Sequence, residues 1–281
     1  MRMTNGELLR LGTDALADRG ILEAKTDAWI LFSCVTGLSR AGYYLHSGED
    51  ALPEWQEAYW EKIEMRKRRV PVQQITGEQE FMGLPFSVNE NVLIPRQDTE
   101  VLVEAVLPMA EGKRVLDLCT GTGCIAISLA VLGTPECCVG TDVSREALRV
   151  AEHNNRQLGG GVSLIESDLF ERVRGTFDLI VSNPPYIPPA VINGLEEEVR
   201  EHEPRIALDG GEDGLDFYRR IVAEAGGFLS PGGILAFEIG HDQGGEVERY
   251  MEKAGYCPIC RRKDYAGHDR VVIGEYGLCR Q

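Results

Sequence analysis

Residues 182–189 read Ser-Asn-Pro-Pro-Tyr-Ile-Pro-Pro and follow directly on the apolar run FDLIV at 177–181. A strand can end in any ordinary turn, and this segment is stiffer than a turn requires. Each proline fixes its own φ and pushes the residue before it toward extended geometry. The spacing therefore predicts a rigid rim that holds one amide, Asn183, and one aromatic ring, Tyr186, in set positions. Such a rim suits chemistry on a planar amide or amino-aromatic nitrogen, whose lone pair is delocalised and weakly nucleophilic. Two acceptors aimed at its two N–H groups hold it and favour a pyramidal nitrogen. The Asn183 side-chain carbonyl and the Pro184 backbone carbonyl can supply both, because an amide oxygen only accepts. Tyr186 can pack on the flat group. In-line transfer to such a nitrogen depends mainly on positioning, for which about 7–11 kcal/mol is available in favourable cases. The pattern demands no general base.

A second constellation lies upstream, at the strand-to-helix turn Asp-Leu-Cys-Thr-Gly-Thr-Gly-Cys, 117–124. Gly121 and Gly123 let the backbone pass close to a ligand at the helix N-terminus. Asp142 ends the next strand, 19 residues after Gly123, where a carboxylate accepts hydrogen bonds from a ribose diol. Gly121-x-Gly123-x-x-Ala126 also fits a dinucleotide fingerprint, so a dehydrogenase competes on this motif alone. Asp117 and Thr120 crowd the turn with polar side chains, where a pyrophosphate prefers bare amides. An acid near the loop suits a cationic ligand such as the sulfonium and amino group of S-adenosylmethionine. Asp168, ending the third strand, is placed to receive an adenine amino group, with Leu169 against the ring.

Alternating elements must position these loops. From about residue 98, apolar strands (RVLDLC, CCVGTDV, VSLIESDLF, FDLIVSN, GGILAFEIG) alternate with amphipathic helices, which predicts an α/β fold with a parallel sheet covered on both faces. The first helix of this part is expected over 99–111. CPICRRKDY and DRVVIGEY follow one another without a helix and predict an antiparallel edge pair. In open sheets of this kind ligands lie beyond the carboxyl ends of the strands near the switch point, so Asn183 is expected to face the ligand of the first loop. Residues 1–75 read as all-helical. Thr4 with Glu7 forms a capping-box start, and Trp29, Trp55 and Trp60 are expected to pack. The run Arg66-Lys67-Arg68-Arg69 is expected to be a solvated helix cap, with a docking patch for an anionic partner as the sharper reading. Period-two residues Phe81, Leu84, Phe86 and Val88 predict a hairpin linker over 76–98.

Composition narrows the classes. The chain has 281 residues, 43% hydrophobic and 26% charged, with 29 basic against 45 acidic residues and a net charge of −16. That balance argues against a nucleic-acid duplex as main substrate. No apolar run reaches the ~18 residues of a membrane span. The first twenty residues carry neither a secretory nor a transit pattern, so a cytoplasmic location is expected. Eight cysteines are present. Only Cys257 and Cys260 have CxxC spacing, and no second pair or nearby histidine completes a zinc set, so no metal is expected. These thiols, and Cys137 and Cys138, are expected to be reduced and packed as small hydrophobes.

DLCTGTG, the acid of TDVS and SNPPYIP together resemble Rossmann-like S-adenosylmethionine-dependent methyltransferases that act on nitrogen. VPVQQITGEQEFMGLPFSV, VLIPRQDTE, EVREHEPRIALDGGEDGLDFYRRI, LAFEIG and DRVVIGE narrow this to a resemblance, over nearly the whole chain, to the PrmC/HemK family of release factor N5-glutamine methyltransferases. The resemblance implies a class I methyltransferase fold, a mostly parallel seven-stranded sheet with an antiparallel edge pair, preceded by a small helical domain. It implies 1–75 as a substrate-docking domain, 76–98 as linker and 99–281 as the methyltransferase domain. It further implies transfer of a methyl group to the glutamine of the Gly-Gly-Gln tripeptide in class I release factors, with no stable nucleic acid and no membrane as partner. Asn183, Pro184, Pro185 and Tyr186 would bind the glutamine, with Asn183, Pro184 and Tyr186 catalytic. Cys119, Thr120, Gly121, Thr122, Gly123, Asp142, Asp168, Leu169 and Asn183 would line the cofactor. Cys119 stands where the family often has glycine, Gln97 where proline is common and Gln74 where tyrosine is frequent. Arg96 and the acidic stretch 196–203 are candidates for shaping the peptide cleft, although 196–198 reads more simply as a solvated face. An adenine-N6 methyltransferase shares the NPPY motif but is expected to carry a basic channel. A dehydrogenase leaves NPPY unexplained, and a module holding S-adenosylmethionine only as a structural ligand is expected to have a degraded one.

Overall fold

The structure, a computed structural model, describes residues 3–277. The chain divides into two compact units. One comprises the described part of Met1–Glu78 together with Glu196–His202, and the other Gln79–Leu195 with the described part of Glu203–Gln281.

The first unit is helical: Asn5–Asp18, Ala24–Thr36, Arg40–His46, Pro53–Lys67 and Val72–Thr76, with Glu197–His202 returning from far along the chain. The Thr4 hydroxyl accepts from the Glu7 amide and the Glu7 carboxylate accepts from the Thr4 amide, so the capping box forms as the sequence predicts. Leu8, Leu16, Leu31, Phe32, Tyr59 and Ile63 are fully buried, and Trp29 and Trp60 pack against them. Trp55 is half-buried and lies outside that cluster.

Two expectations fail in this unit. Arg66 is not a solvated cap residue but 8% exposed; its Nε donates to Asp27 Oδ2 at 2.7 Å and its Nη1 to Glu198 Oε1 at 2.8 Å. Arg69 Nη1 reaches the same Glu198 oxygen at 3.2 Å. Glu198, expected on a solvated face, is thus drawn in by two guanidinium groups; burial pushes its carboxyl up, but a backbone amide and then the two guanidinium groups outweigh it and hold the pKa below the usual range. A buried cation needs its counter-charges, and this one draws on a segment 132 positions away.

The strands, all but the first residue of β1 in the second unit, are a hairpin of β1 (Glu78–Phe81) and β2 (Leu84–Ser87), followed by β3 (Arg114–Leu118), β4 (Cys137–Asp142), β5 (Ser163–Glu166), β6 (Phe177–Ser182), β7 (Leu229–Glu238), β8 (Tyr256–Lys263) and β9 (Asp269–Tyr276). Among the described residues the last seven form one sheet in the order β5-β4-β3-β6-β7-β9-β8. β3 to β7 run parallel, and β9 enters antiparallel between β7 and β8. Strand alternation sorts the core: Val115, Leu179 and Val181 join one face with the helices Gln97–Val106 and Cys124–Gly133, while Leu116, Leu118 and Ile180 join the other with Asp216–Ala225 and Gly244–Lys253. The helix expected over 99–111 instead spans Gln97–Val106 and tightens into a 3₁₀ turn, Leu107–Met109, at Pro108. Cys138 is buried, but Cys137 and Cys260 are exposed, contrary to the packed state expected of them. Successive strand residues face opposite ways, so adjacent cysteines cannot share one environment.

Candidate active site

β3 delivers the first loop. Cys119, Gly121 and Gly123 all take positive φ (61°, 54° and 81°), turning the chain sharply into the helix Cys124–Gly133. At Gly123 a side chain is excluded twice over, since a Cβ would also fall 2.7 Å from Ile127 Cδ1. Asp117 lies beneath the turn, fully buried, where its Oδ2 accepts from Thr120 Oγ1 (2.6 Å) and the Ala126 amide (3.3 Å). Burial lifts its pKa to about 7 against those two bonds. Asp117 and Thr120, expected to crowd the turn with polar side chains, are both buried and brace the loop from inside. Thr122 is also buried, its hydroxyl accepting from the Cys124 amide. Two of the predicted cofactor residues thus turn their hydroxyls inward.

Asp142 behaves differently. Its Oδ2 accepts from the Gly121 amide and its Oδ1 from the Ser144 amide, each at 2.9 Å, which fixes the carboxylate and leaves each oxygen a further lone pair. Burial raises its pKa, opposed by those amides. Cys119, Gly121, Asp142, Asp168 and Leu169 line one cavity, joined by Pro185. Asp168 lies two residues beyond the end of β5 rather than on it, and its Oδ2 is held by Arg220 Nη2 at 2.8 Å. Ile206 and Phe217 form an apolar wall of the same cavity that sequence reasoning did not assign. Their signal was present in the PRIALDGG and GLDFYRRI motifs, which carried no role. These residues fit S-adenosylmethionine: a fixed strand-end carboxylate suits a diol, and the slot between Leu169, Ile206 and Phe217 suits a flat ring.

β6 delivers the rim. Ser182 pairs with Leu118 in register and its hydroxyl donates to the Leu118 carbonyl at 2.8 Å, so Asn183 emerges beside Cys119. Pro184 and Pro185 are buried, while Asn183 and Tyr186 are half-buried. The Asn183 Nδ2 donates to Thr99 Oγ1 at 3.3 Å, which leaves its carbonyl oxygen free to face elsewhere. The Tyr186 hydroxyl donates to Glu238 Oε1 at 3.3 Å, and the Tyr186 carbonyl accepts from Gln243 Nε2 at 2.9 Å. Ile187 pairs with Asp209, bringing Gly210 so close that a Cβ there would lie 2.6 Å from Tyr186 Cα. Burial, with the neighbouring Glu238 carboxyl, keeps the Tyr186 hydroxyl protonated. Arg96 pairs with buried Glu203 at 2.5 Å.

A release factor glutamine methyltransferase of Geobacter sulfurreducens is 45% identical over 264 residues, covering 93% of both chains. The chain belongs to the release factor glutamine methyltransferase family. A relative of the same name from Moorella thermoacetica is 43% identical over 97% of both chains. Residues 7–77 of this methyltransferase match the PrmC N-terminal domain and residues 96–194 the methyltransferase small domain. A solved methyltransferase from Pyrococcus furiosus shares the fold, with a TM-score of 0.57 over 76% of this chain and 99% of that one, at 21% identity. The matched small domain contains both the glycine loop and the asparagine-proline rim, the two pieces that the sheet places side by side.

Proposed function

We propose that the chain transfers a methyl group from S-adenosylmethionine to the side-chain nitrogen N5 of the Gly-Gly-Gln glutamine in class I peptide chain release factors. One observation carries this reading. The rim 183–186 and the glycine loop 119–123 leave adjacent, register-paired strands, and Pro185 lines the same cavity as Asp142 and Gly121.

S-adenosylmethionine supplies an electrophilic methyl group on sulfur. The chain's residues then do the positioning. Asp142 and the loop amides fix one side of the cavity. The Asn183 and Pro184 carbonyls accept the two N–H groups of the glutamine amide, and Tyr186 packs on its plane. The nitrogen forms its bond to the methyl carbon as the carbon–sulfur bond breaks, and one proton leaves the nitrogen to solvent. Orientation of this kind supplies about 7–11 kcal/mol in favourable cases.

The same reading assigns the helical part, 1–75, to docking the protein substrate, 76–98 to a linker and 99–281 to transfer, in the cytoplasm. Adenine N6 is the competing acceptor, because the rim suits any planar amino group. The acidic balance of −16 favours a protein partner over a nucleic-acid one. Labelled S-adenosylmethionine offered in parallel to a class I release factor, duplex DNA and ribosomal RNA separates the two. Label in the protein fraction alone supports the proposal; label on adenine overturns the substrate.

A further inference from the structure

Glu238 is the last residue of β7, is 2% exposed, and has no assigned role beyond meeting the Tyr186 hydroxyl. Its carboxylate is an acceptor only. The Tyr186 hydroxyl donates to Oε1 at 3.3 Å, while Oε2 has no hydrogen-bond partner. Thr99 is itself 2% exposed, and its oxygen accepts from the Asn183 amide nitrogen. Thr99 engages the Nδ2 end of the amide, so the Asn183 carbonyl is turned away from it.

We propose that Glu238 is a positioning residue for methyl transfer, whose buried carboxylate anchors the Tyr186 ring through its hydroxyl. This rests on the release-factor reading above. A buried carboxyl with one unpaired oxygen is costly, and what it provides in return is an acceptor behind the rim for the Tyr186 hydroxyl.

Burial holds the Glu238 pKa up at about 7, with Thr99, Arg270 and Tyr186 opposing and Asp98 reinforcing. Those groups face it from the helix Gln97–Val106, from β9 and from the rim. Tyr218 from the helix Asp216–Ala225 bonds the Glu238 carbonyl, and Cys124 from the helix Cys124–Gly133 feels its charge. Arg270 is already engaged by Asp264 at 3.1 Å and Asp98 at 3.2 Å. Protonation of Glu238 removes the charge that strengthens the hydrogen bond from the Tyr186 hydroxyl and sets a competing donor against it. The wild-type kcat is therefore expected to fall below about pH 7.

The test is steady-state methylation of a release factor by wild type, Glu238→Gln, Glu238→Leu, Tyr186→Phe and the Leu/Phe double variant. The expected result is a kcat lowered by about 10- to 100-fold in Glu238→Leu, KM for the release factor within about threefold and S-adenosylmethionine affinity unchanged. The double variant falls no further than Glu238→Leu alone, and the acid limb of kcat disappears in Glu238→Gln. Cofactor titration checks that each variant is folded, and Glu238→Gln keeps the test open should the leucine variant unfold. Wild-type kcat in Glu238→Gln with the acid limb intact, or additive losses in the double variant, overturns the proposal. A wild-type enzyme that methylates no release factor instead overturns the functional reading beneath it.

Discussion

Asn183 and Tyr186 do their work with opposite ends of the same physics. The amide oxygen must be presented unpaired to the substrate, while the tyrosine ring must be immobile, and each is fixed by a polar contact behind it, to Thr99 and to Glu238. Of the rim, Pro185 lines the cofactor cavity. Asn183→Ala and Tyr186→Ala are therefore expected to leave S-adenosylmethionine affinity within about threefold while kcat/KM for the release factor falls about 100-fold or more, as lost positioning predicts. Titration calorimetry and methyl-transfer kinetics on the same preparations check both halves. Normal methylation by Tyr186→Ala would remove the role given to the ring.

At the scale of elements, the rim is held by a segment distant in sequence. The 3₁₀ turn Arg205–Ala207 leads into the bridge between Ile187 and Asp209, and Gly210 packs its backbone on Tyr186. A Cβ at 210 would also lie 2.8 Å from the Pro185 carbonyl oxygen, so only backbone movement can accommodate it. Gly210→Ala is expected to cost about 100-fold in kcat, because a displacement of about 1 Å suffices for that; a crystal structure of the variant should show the rim shifted. In the helical unit, Arg66→Ala strands Asp27 and Glu198 and is expected to lower stability by about 3–5 kcal/mol, read from urea denaturation. These cases mark what the sequence made legible. The glycine turn, the strand-end acid and the prolines announce themselves locally, because each acts through backbone geometry within a few residues. Thr99, Glu238 and Glu198 do not. Their residue types are common, and their partners stand 84, 52 and 132 positions away, brought close only by the folded chain. Arg66 was misread for the same reason: a basic residue at a helix end looks solvated until its counter-charges arrive.

For the whole molecule, two buried carboxyls with pKa near 7, Asp117 and Glu238, set a pH signature. Each has its ordinary pKa near 4 when unfolded, so between about pH 4 and 7 the native state binds more protons than the unfolded one. Stability attributable to these groups therefore falls as pH rises through that window and is lowest above it. Denaturation at pH 5.5 and pH 8 should show this fall, reduced in Glu238→Gln; an unchanged pH dependence in that variant would mean the group titrates normally. The account as a whole stands on one reaction, and it is most directly tested by site-resolved mass spectrometry. A class I release factor is incubated with the enzyme and methyl-labelled S-adenosylmethionine, digested and sequenced by fragmentation, beside a Gly-Gly-Gln substrate whose glutamine is changed to alanine. The account predicts a single labelled methyl on that glutamine side chain and none in the control. Label at any other residue, or label persisting in the control, would contradict it.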